Sequence, residues 1–476
     1  MNFLIAGAAI IYISICGFGL VKLILKDNIP FSLFGLVPLC FGAGLGSLAV
    51  LSNLIMLAGL KLSFLTLAAP LFVLFIYALT HFKIRSEFRV SRLIGTLKGF
   101  SRQEKFFVLV IVLGVLGVMI LSLIFPMNYW DSRAIWGTKA KMLFYDGTVF
   151  SSGFMDIQRV QAHFRYPLLF PVAQAFIYFS LGQADDWAIM LFIGLFFPLL
   201  LSFLFDLARL YLRDREKALA AAALLAVLPV FFVSDGAAHS GYADTPLALL
   251  YCLSFGLTLL WKKNRQLSFL ILSAFLSGLL LLTKNEGIIL LLLNLGLILW
   301  PEKFTLNGLS RNLPNIIRGT LIYSAILLIV IVPWALLVRH LANDLDVNGL
   351  LSLNVNNLAG AWPKLPGIIS YTTRAFIGLE KNVLGMTFSW AGLWLIFLVM
   401  SIISIIYRFS KCLQLSAVVL ADFIMITAMF ALMQIKTEAY MLGSISRIYL
   451  PITSVVALQI VSTLKTLELK REHLIK

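Results

Sequence analysis

The chain has 476 residues, of which 61% are hydrophobic and only 13% charged, and its mean hydropathy is +0.96. An ordinary soluble domain carries about 25% charged and about 45–50% apolar residues, so this composition excludes a soluble enzyme, a disordered chain and a nucleic-acid-binding domain. The formal charge of +16 names no ligand, because basic residues collect in the cytoplasmic loops of membrane proteins for topological reasons.

Apolar runs follow one another at 3–21, 31–59, 62–80, 106–126, 186–206, 218–234, 243–261, 266–283, 287–300, 319–338, 383–405, 415–435 and 447–463. A helix of about 20 apolar residues crosses a hydrocarbon layer of about 30 Å, so the pattern predicts an all-α polytopic membrane protein with about thirteen transmembrane helices. Residues 1–10 contain no basic residue and the first lysine is Lys22, after the first apolar run, which argues against a cleaved signal peptide. Cys16, Cys40, Cys252 and Cys412 lie singly in or beside apolar segments and read as free thiols packed like small hydrophobes.

Basic clusters set the orientation. Lys83, Arg85, Arg89, Arg92, Lys98, Arg102 and Lys105 fall in one loop, Arg209 to Lys217 in a second, and Lys262, Lys263 and Arg265 in a third. With these loops inside, 25 of the 38 Lys and Arg are cytoplasmic and 13 are not, the bias expected of a membrane protein. Segments 127–185, 339–382 and 436–446 then face outward. Residues 167–181 are apolar but short and interrupted by Pro167 and Pro171; counting them as a span would reverse every downstream loop, so they read as a helix at the membrane surface or partly inserted.

Polar residues gather at the outer ends of the predicted helices, whereas a transporter places ionisable groups at mid-membrane. The nearest case, Asp422, lies toward the cytoplasmic end of its run. Asn128 to Trp136 put Asp131 and Arg133 at a helix exit among aromatics suited to the interface. Asp131 is a candidate general base; equally, it can cap a helix over 132–145. His163, Arg165 and Tyr166 precede a proline-started helix, where Arg165 either forks a phosphate or snorkels to lipid phosphates.

The loop from Asp235 to Pro246 holds two carboxylates, His239 and two glycines. If Asp131 and Asp244 meet, they can share acid–base work or hold a divalent cation; alternatively, Asp244 caps the next helix and Asp235 forms an Asx turn. Lys284 and Glu286 sit in a turn between two apolar runs, either in the site or merely paired with each other. Arg374 lies in the late outer loop. Arg447 stands at the outer entrance of the last span and needs a counter-anion, either Glu438 or a substrate phosphate.

The order of these features resembles the GT-C superfamily of membrane glycosyltransferases, and within it the branch holding protein O-mannosyltransferases and lipid A aminoarabinose transferases. The features are an Asp in the first large outer loop, Tyr166-Pro167-Leu168, Gly241-Tyr242-Ala243-Asp244, the run Gly278 to Lys284, and Arg447-x-x-Leu450-Pro451, spread over roughly 106–463. The resemblance divides the chain into three added N-terminal helices and a basic cytoplasmic loop (1–105), a catalytic membrane module with its first outer loop at 127–185 (106–338), and an outer loop at 339–382 with the C-terminal helices (339–476).

What the resemblance implies is inverting transfer of a sugar from a polyprenyl-phosphate donor to a hydroxyl or phosphate of a lipid, glycan or protein acceptor. The expected place is the non-cytoplasmic face of a bacterial inner or plasma membrane. Asp131 and Asp244 match the two acidic motifs; His163 to Leu168 match a His-Pro-Pro-Leu region, with one proline here instead of two. Candidate substrate-binding residues are Arg133, His163, Arg165, Tyr166, His239, Lys284, Glu286, Arg374 and Arg447. A divalent cation is the one cofactor to consider. The competing readings are a membrane polysaccharide polymerase or ligase, which calls for a more arginine-rich outer loop, and a lipid-linked glycan flippase or transporter, which calls for charges along an interior path.

Overall fold

The computed structural model describes residues 1–26, 28–81, 99–156, 162–300, 306–341, 358–379, 390–433 and 437–475. The predicted basic-loop residues Lys83 to Lys98 and much of the 339–382 loop lie outside them. Among the described residues the elements are helices, and nine are long and apolar enough to cross a membrane.

The bundle opens with α1 (Asn2–Leu25), α2 (Leu33–Leu57) and α3 (Phe64–His81), followed by α4 (Arg102–Ile124). Ser101 and Glu104 start α4 with a reciprocal capping box, the Ser-x-x-Glu pattern that satisfies two otherwise orphaned amides. After the first outer segment, with α5 (Thr138–Asp146), come α6 (Leu169–Leu181), α7 (Ile189–Leu212), α8 (Arg215–Ala226), α9 (Asp244–Asn264), α10 (Leu267–Thr283) and α11 (Gly287–Leu299). The chain ends with α12 (Leu306–Leu337), α13 (Leu365–Phe376), α14 (Leu393–Ile406), α15 (Ser410–Leu432), α16 (Thr437–Ile448) and α17 (Thr453–Ile475).

Helix α9 is the axis. It is apolar all round, the pattern of a helix enclosed on every side, and every residue from Asp244 to Trp261 is buried. It packs on α2, α7, α10, α11 and α17. Peripheral α4 is the opposite case, with Phe106, Leu109, Leu113 and Leu116 exposed, as suits a lipid-facing helix. Between α9, α10, α11 and α12 a buried polar network ties the helices: Asn294 donates to Ser254 at 3.0 Å and to Ser277 at 2.9 Å, and Tyr323 donates to Ser277. Such bonds act as interhelical glue where the surroundings are apolar.

Several expectations change. The runs 287–300 and 383–405 contribute helices of 13 and 14 residues, which add to the bundle without the length of a full span, whereas 266–283 forms a helix of 17, at the lower limit for crossing. The run 447–463 is broken: α16 ends at Ile448 and α17 begins at Thr453, because Pro451 cannot continue a helix and restricts Leu450 before it. Residues 167–181 do not lie on a surface. Helix α6 is buried from Leu169 to Tyr178 and packed against α1, α2, α5 and α7, which places its apolar faces inside protein. Asp422 sits at the middle of α15, not near its end. The four cysteines are free and buried.

The two ends of the bundle differ in how their turns are made. Gly59, Gly147, Gly182 and Gly241 take positive φ at the end that holds Asp244. At the far end a cation with positive φ stands at or one residue past the end of four helices: Lys26 after α1 (φ 53), Arg213 after α7 (φ 57), Arg265 after α9 (φ 55) and, beyond Tyr407, Arg408 after α14 (φ 54). Side chains other than glycine reach this region only at a steric cost.

Candidate active site at the end of the central helix

Because α9 runs down the axis, its first turn sets Asp244 at the centre of one end of the bundle, only 2% exposed. Asp244 does not cap the helix: Ala243 holds the N-cap position, and the carboxylate instead accepts from Lys284 Nζ at 3.0 Å. Lys284 lies in the turn between α10 and α11 and reaches Glu286 at 3.6 Å. This pair is buried, not an exposed surface pair, since Lys284 is 7% exposed.

Asp131 does not cap either. Residues Ser132–Gly137 form a π-helical turn ahead of α5, and the Asp131 side chain makes no capping bond; π turns are enriched at functional sites. Its Oδ2 accepts from Arg447 Nη1 at 2.6 Å. The same guanidinium nitrogen is 3.7 Å from Asp244 Oδ2. Arg447 thus comes from α16, hundreds of residues along the chain, to stand between the two carboxylates. The side chain of Glu438, the other anion considered for it, lies outside the described residues.

Two glycines of the 235–244 loop make this approach possible. A Cβ on Gly236 would sit 2.6 Å from Arg447 Cβ, and one on Gly241, at φ 79, 2.8 Å from Ser132 Cβ. The Tyr242 ring lies under the guanidinium at 4.8 Å, and its hydroxyl accepts from the Asp131 amide at 3.3 Å. The result is an alternating row of charge, Asp131, Arg447, Asp244, Lys284 and Glu286.

Burial works against the charge of Arg447, but Asp244 and Asp131 outweigh it and hold the guanidinium protonated above its ordinary range. Lys284 is likewise penalised by burial and raised overall by Asp244 and Glu286. Asp235 is pushed up by burial and by Asp131, against the opposing pull of Arg447. His239 is lowered to about 4 by burial, so it is neutral at pH 7.

These groups line a cavity of about 130 Å³ whose walls include Asp131, Asp244, Lys284, Glu286, Ser444 and Arg447, with Trp136, His163 and Tyr166 on another side. The aromatic wall is a stack: His163 on Tyr166 with ring centroids 5.2 Å apart, and Tyr166 on Trp136 at 5.9 Å. Behind it is Lys139, fully buried, donating from Nζ to the carbonyls of His163 and Tyr166 at 3.2 Å each. Lys139 fixes the loop that carries His163, whose φ of 47 is left-handed. Sequence reasoning passed over it, since nothing local separates it from Lys141, which pairs with Asp186.

Of the sequence candidates, Asp131, Asp244, Lys284, Glu286, His163, Tyr166 and Arg447 converge on this cavity. Arg133, Arg165, His239 and Arg374 are not in its walls. His239 stands behind, bonded through Nε2 to the Tyr129 hydroxyl at 3.0 Å; Arg133 and Arg374 are exposed, and Arg374 lies over the Tyr371 ring. A divalent cation does not fit this arrangement: the guanidinium fills the space between the carboxylates, and no cluster of three His, Cys, Asp or Glu side chains occurs among the described residues.

Residues 166–337 match the family of dolichyl-phosphate-mannose-protein mannosyltransferases. This bears out the GT-C resemblance. The matched stretch runs from Tyr166 through the Asp244 and Lys284 motifs to the end of α12, and agrees with a membrane glycosyltransferase. Among solved structures, the archaeal oligosaccharyltransferase AglB from Archaeoglobus fulgidus, in complex with an inhibitory peptide and a dolichol-phosphate, aligns with a TM-score of 0.44 at 16% identity. The alignment covers 78% of this chain and 52% of that one, so the chain spans about half the length of that enzyme. No curated protein matches the sequence.

Proposed function

We propose that this integral membrane protein transfers a sugar from a polyprenyl-phosphate donor to an acceptor hydroxyl, with inversion, at the non-cytoplasmic face of a plasma membrane. The observation that carries the reading is the meeting of Asp131, Arg447, Asp244 and Lys284 in one cavity at the end of the central helix: a carboxylate to take a proton beside two cations to hold a phosphate. The catalytic module is residues 106–338 completed by Arg447 from the C-terminal part, with residues 1–105 as added N-terminal helices. Putting the basic far end inside places the site outside.

In this mechanism the acceptor oxygen attacks the anomeric carbon as its proton passes to Asp131. The bond from the anomeric carbon to the phosphate oxygen breaks, and its electron pair stays on the departing polyprenyl phosphate. Asp131, with its side chain 20% exposed, is the carboxylate an acceptor can reach. Asp244 is held by Lys284 through Oδ1, while its Oδ2 makes no hydrogen bond and is placed to accept from a sugar hydroxyl.

Charge moves in step. As Asp131 is neutralised by the proton, the phosphate gains a negative charge, and Arg447 exchanges the first partner for the second. A preorganised cation that strengthens its hold as charge develops is the kind of group that lowers a barrier. The cavity of about 130 Å³ is roughly the size that holds one benzene, so it takes the reacting end of the donor, with the phosphate against Arg447 and Lys284. The stacked Trp136, Tyr166 and His163 offer a face for the sugar ring.

Purified protein in proteoliposomes, supplied with a labelled polyprenyl-phosphate mannose and a panel of hydroxyl acceptors, tests the reading. Asp131→Asn keeps the side-chain shape and removes the base, so transfer falls by about 10²–10⁴-fold with the fold retained. Near-normal turnover of that variant rejects the assigned role.

A further inference from the structure

A second charged cavity, of about 500 Å³, opens at the far end of the bundle, with Arg209, Arg213, Arg215 and Lys263 in its walls beside Leu210, Leu260 and Asp214. It lies where α7 and α9 end and α8 begins. Most of its charges are already matched: Arg209 pairs with Asp206 at 2.7 Å and Arg215 with Glu104 at 2.5 Å. Asp214 caps α8 by accepting from the Lys217 amide and also faces Lys465 at 3.6 Å.

Arg213 and Lys263 are different. Among the described residues no carboxylate pairs with either. Lys263 Nζ donates only to the last carbonyls of α7, at 2.9 Å from Leu210 and 3.3 Å from Tyr211. Arg213, Lys411 and Lys465 lie within electrostatic reach of it. Arg213 is held in the left-handed conformation at the end of α7, where glycine would fit without strain, so backbone energy goes into setting a cation here. The cavity therefore gathers positive charge from three helices that repel one another, beside leucines at the depth where apolar helices stop.

We infer that this cavity binds the phosphate headgroup of an anionic glycerophospholipid. Phosphate oxygens neutralise Arg213 and Lys263 together, and the half-buried Leu210 meets the first methylenes of the chains. Basic pockets between transmembrane helices suit such headgroups. The site is distinct from the candidate active site, about 30 Å away along the 21-residue α9, and does not depend on the transferase reading.

The test is native mass spectrometry and lipid competition on the full chain in detergent, with phosphatidylglycerol and phosphatidylcholine as probes. The variant pair is Arg213→Gly with Lys263→Ala; glycine removes the charge and relieves the backbone, so the change does not threaten the fold. With each basic side chain worth about fivefold in headgroup binding, the pair weakens phosphatidylglycerol retention roughly 30-fold. Lys61→Ala, an exposed cation at the opposite end, leaves retention unchanged. Equal retention of phosphatidylglycerol by the double variant, or equal retention of phosphatidylcholine and phosphatidylglycerol by the wild type, overturns the inference. Displacement of the lipid by millimolar inorganic phosphate would assign the cavity to a soluble anion and overturn it also.

Discussion

Replacing Lys284 by methionine removes the cation nearest to a carboxylate that is only 2% exposed. Asp244 would then keep one charged neighbour, Arg447, at 3.7 Å instead of the 3.0 Å contact it has lost. Taking away one partner of a buried pair costs about 3–5 kcal/mol, and the remaining guanidinium puts this case at the lower end, about 3 kcal/mol. Asp244→Asn leaves Lys284 with Glu286 at 3.6 Å and costs somewhat less, about 2 kcal/mol. In the double variant neither charge is stranded, so its loss is smaller than the sum by about 2 kcal/mol, a coupling within the range for residues in one network. Thermal melting followed by tryptophan fluorescence in a single detergent reads this out, with the double variant melting close to Lys284→Met instead of well below it. Additive losses would refute the argument that the pair is held together by mutual neutralisation.

Arg447→Ala weakens apparent donor affinity by about 10- to 100-fold, the range for charged hydrogen bonds, and Arg447→Lys restores it in part because an ammonium lacks the planar fork; unchanged affinity in both would make Arg447 only a helix anchor. His239 supplies a pH dependence. Burial lowers it to about 4 in the folded chain against about 6.5 unfolded, so its contribution is complete above pH 6.5 and is lost as pH falls toward 4. The loss amounts to about 2 kcal/mol between pH 7.5 and 5, and His239→Gln flattens that part of the melting profile; an identical profile in the variant discards the assignment. For topology, a single cysteine at position 150 reacts with an impermeant maleimide from the site side of intact cells, while one at position 472 does so only after permeabilisation. The reverse labelling pattern moves the site to the cytoplasmic face.

The bundle was legible in the sequence because a helix enclosed in lipid or protein must be apolar over most of its surface, and a run free of charges such as 106–126 leaves no other solution. Length misled where protein, not lipid, covers the helix. Helix α6 has 13 residues, too few for a span, which reads as a surface segment until α1, α2 and α5 are seen to enclose it. The acidic residues were legible as candidates because Asp131 and Asp244 stand at helix exits. Their partner was not, since Arg447 is 316 residues from Asp131 and its own surroundings suggest only an interfacial cation. The capping alternatives for both Asp residues depended on an ordinary helix start. A π turn in one case and a lysine from another turn in the other draw the carboxylates elsewhere.

The four cations that end helices at the far side of the bundle combine two instructions that are usually written separately. A left-handed residue other than glycine, such as Arg213 or Arg265, costs about 1–2 kcal/mol, so glycine there would make an easier stop. A cation there also settles against the negative pole of its helix, and drawing it to mid-membrane costs about 2.5–3.5 kcal/mol, more than the strain that glycine would relieve. Each of these positions therefore does two jobs: it lies at or next to the end of a helix, and it carries a charge that resists being drawn into an apolar layer. Glycine at all four positions would keep the helix ends and give up that resistance.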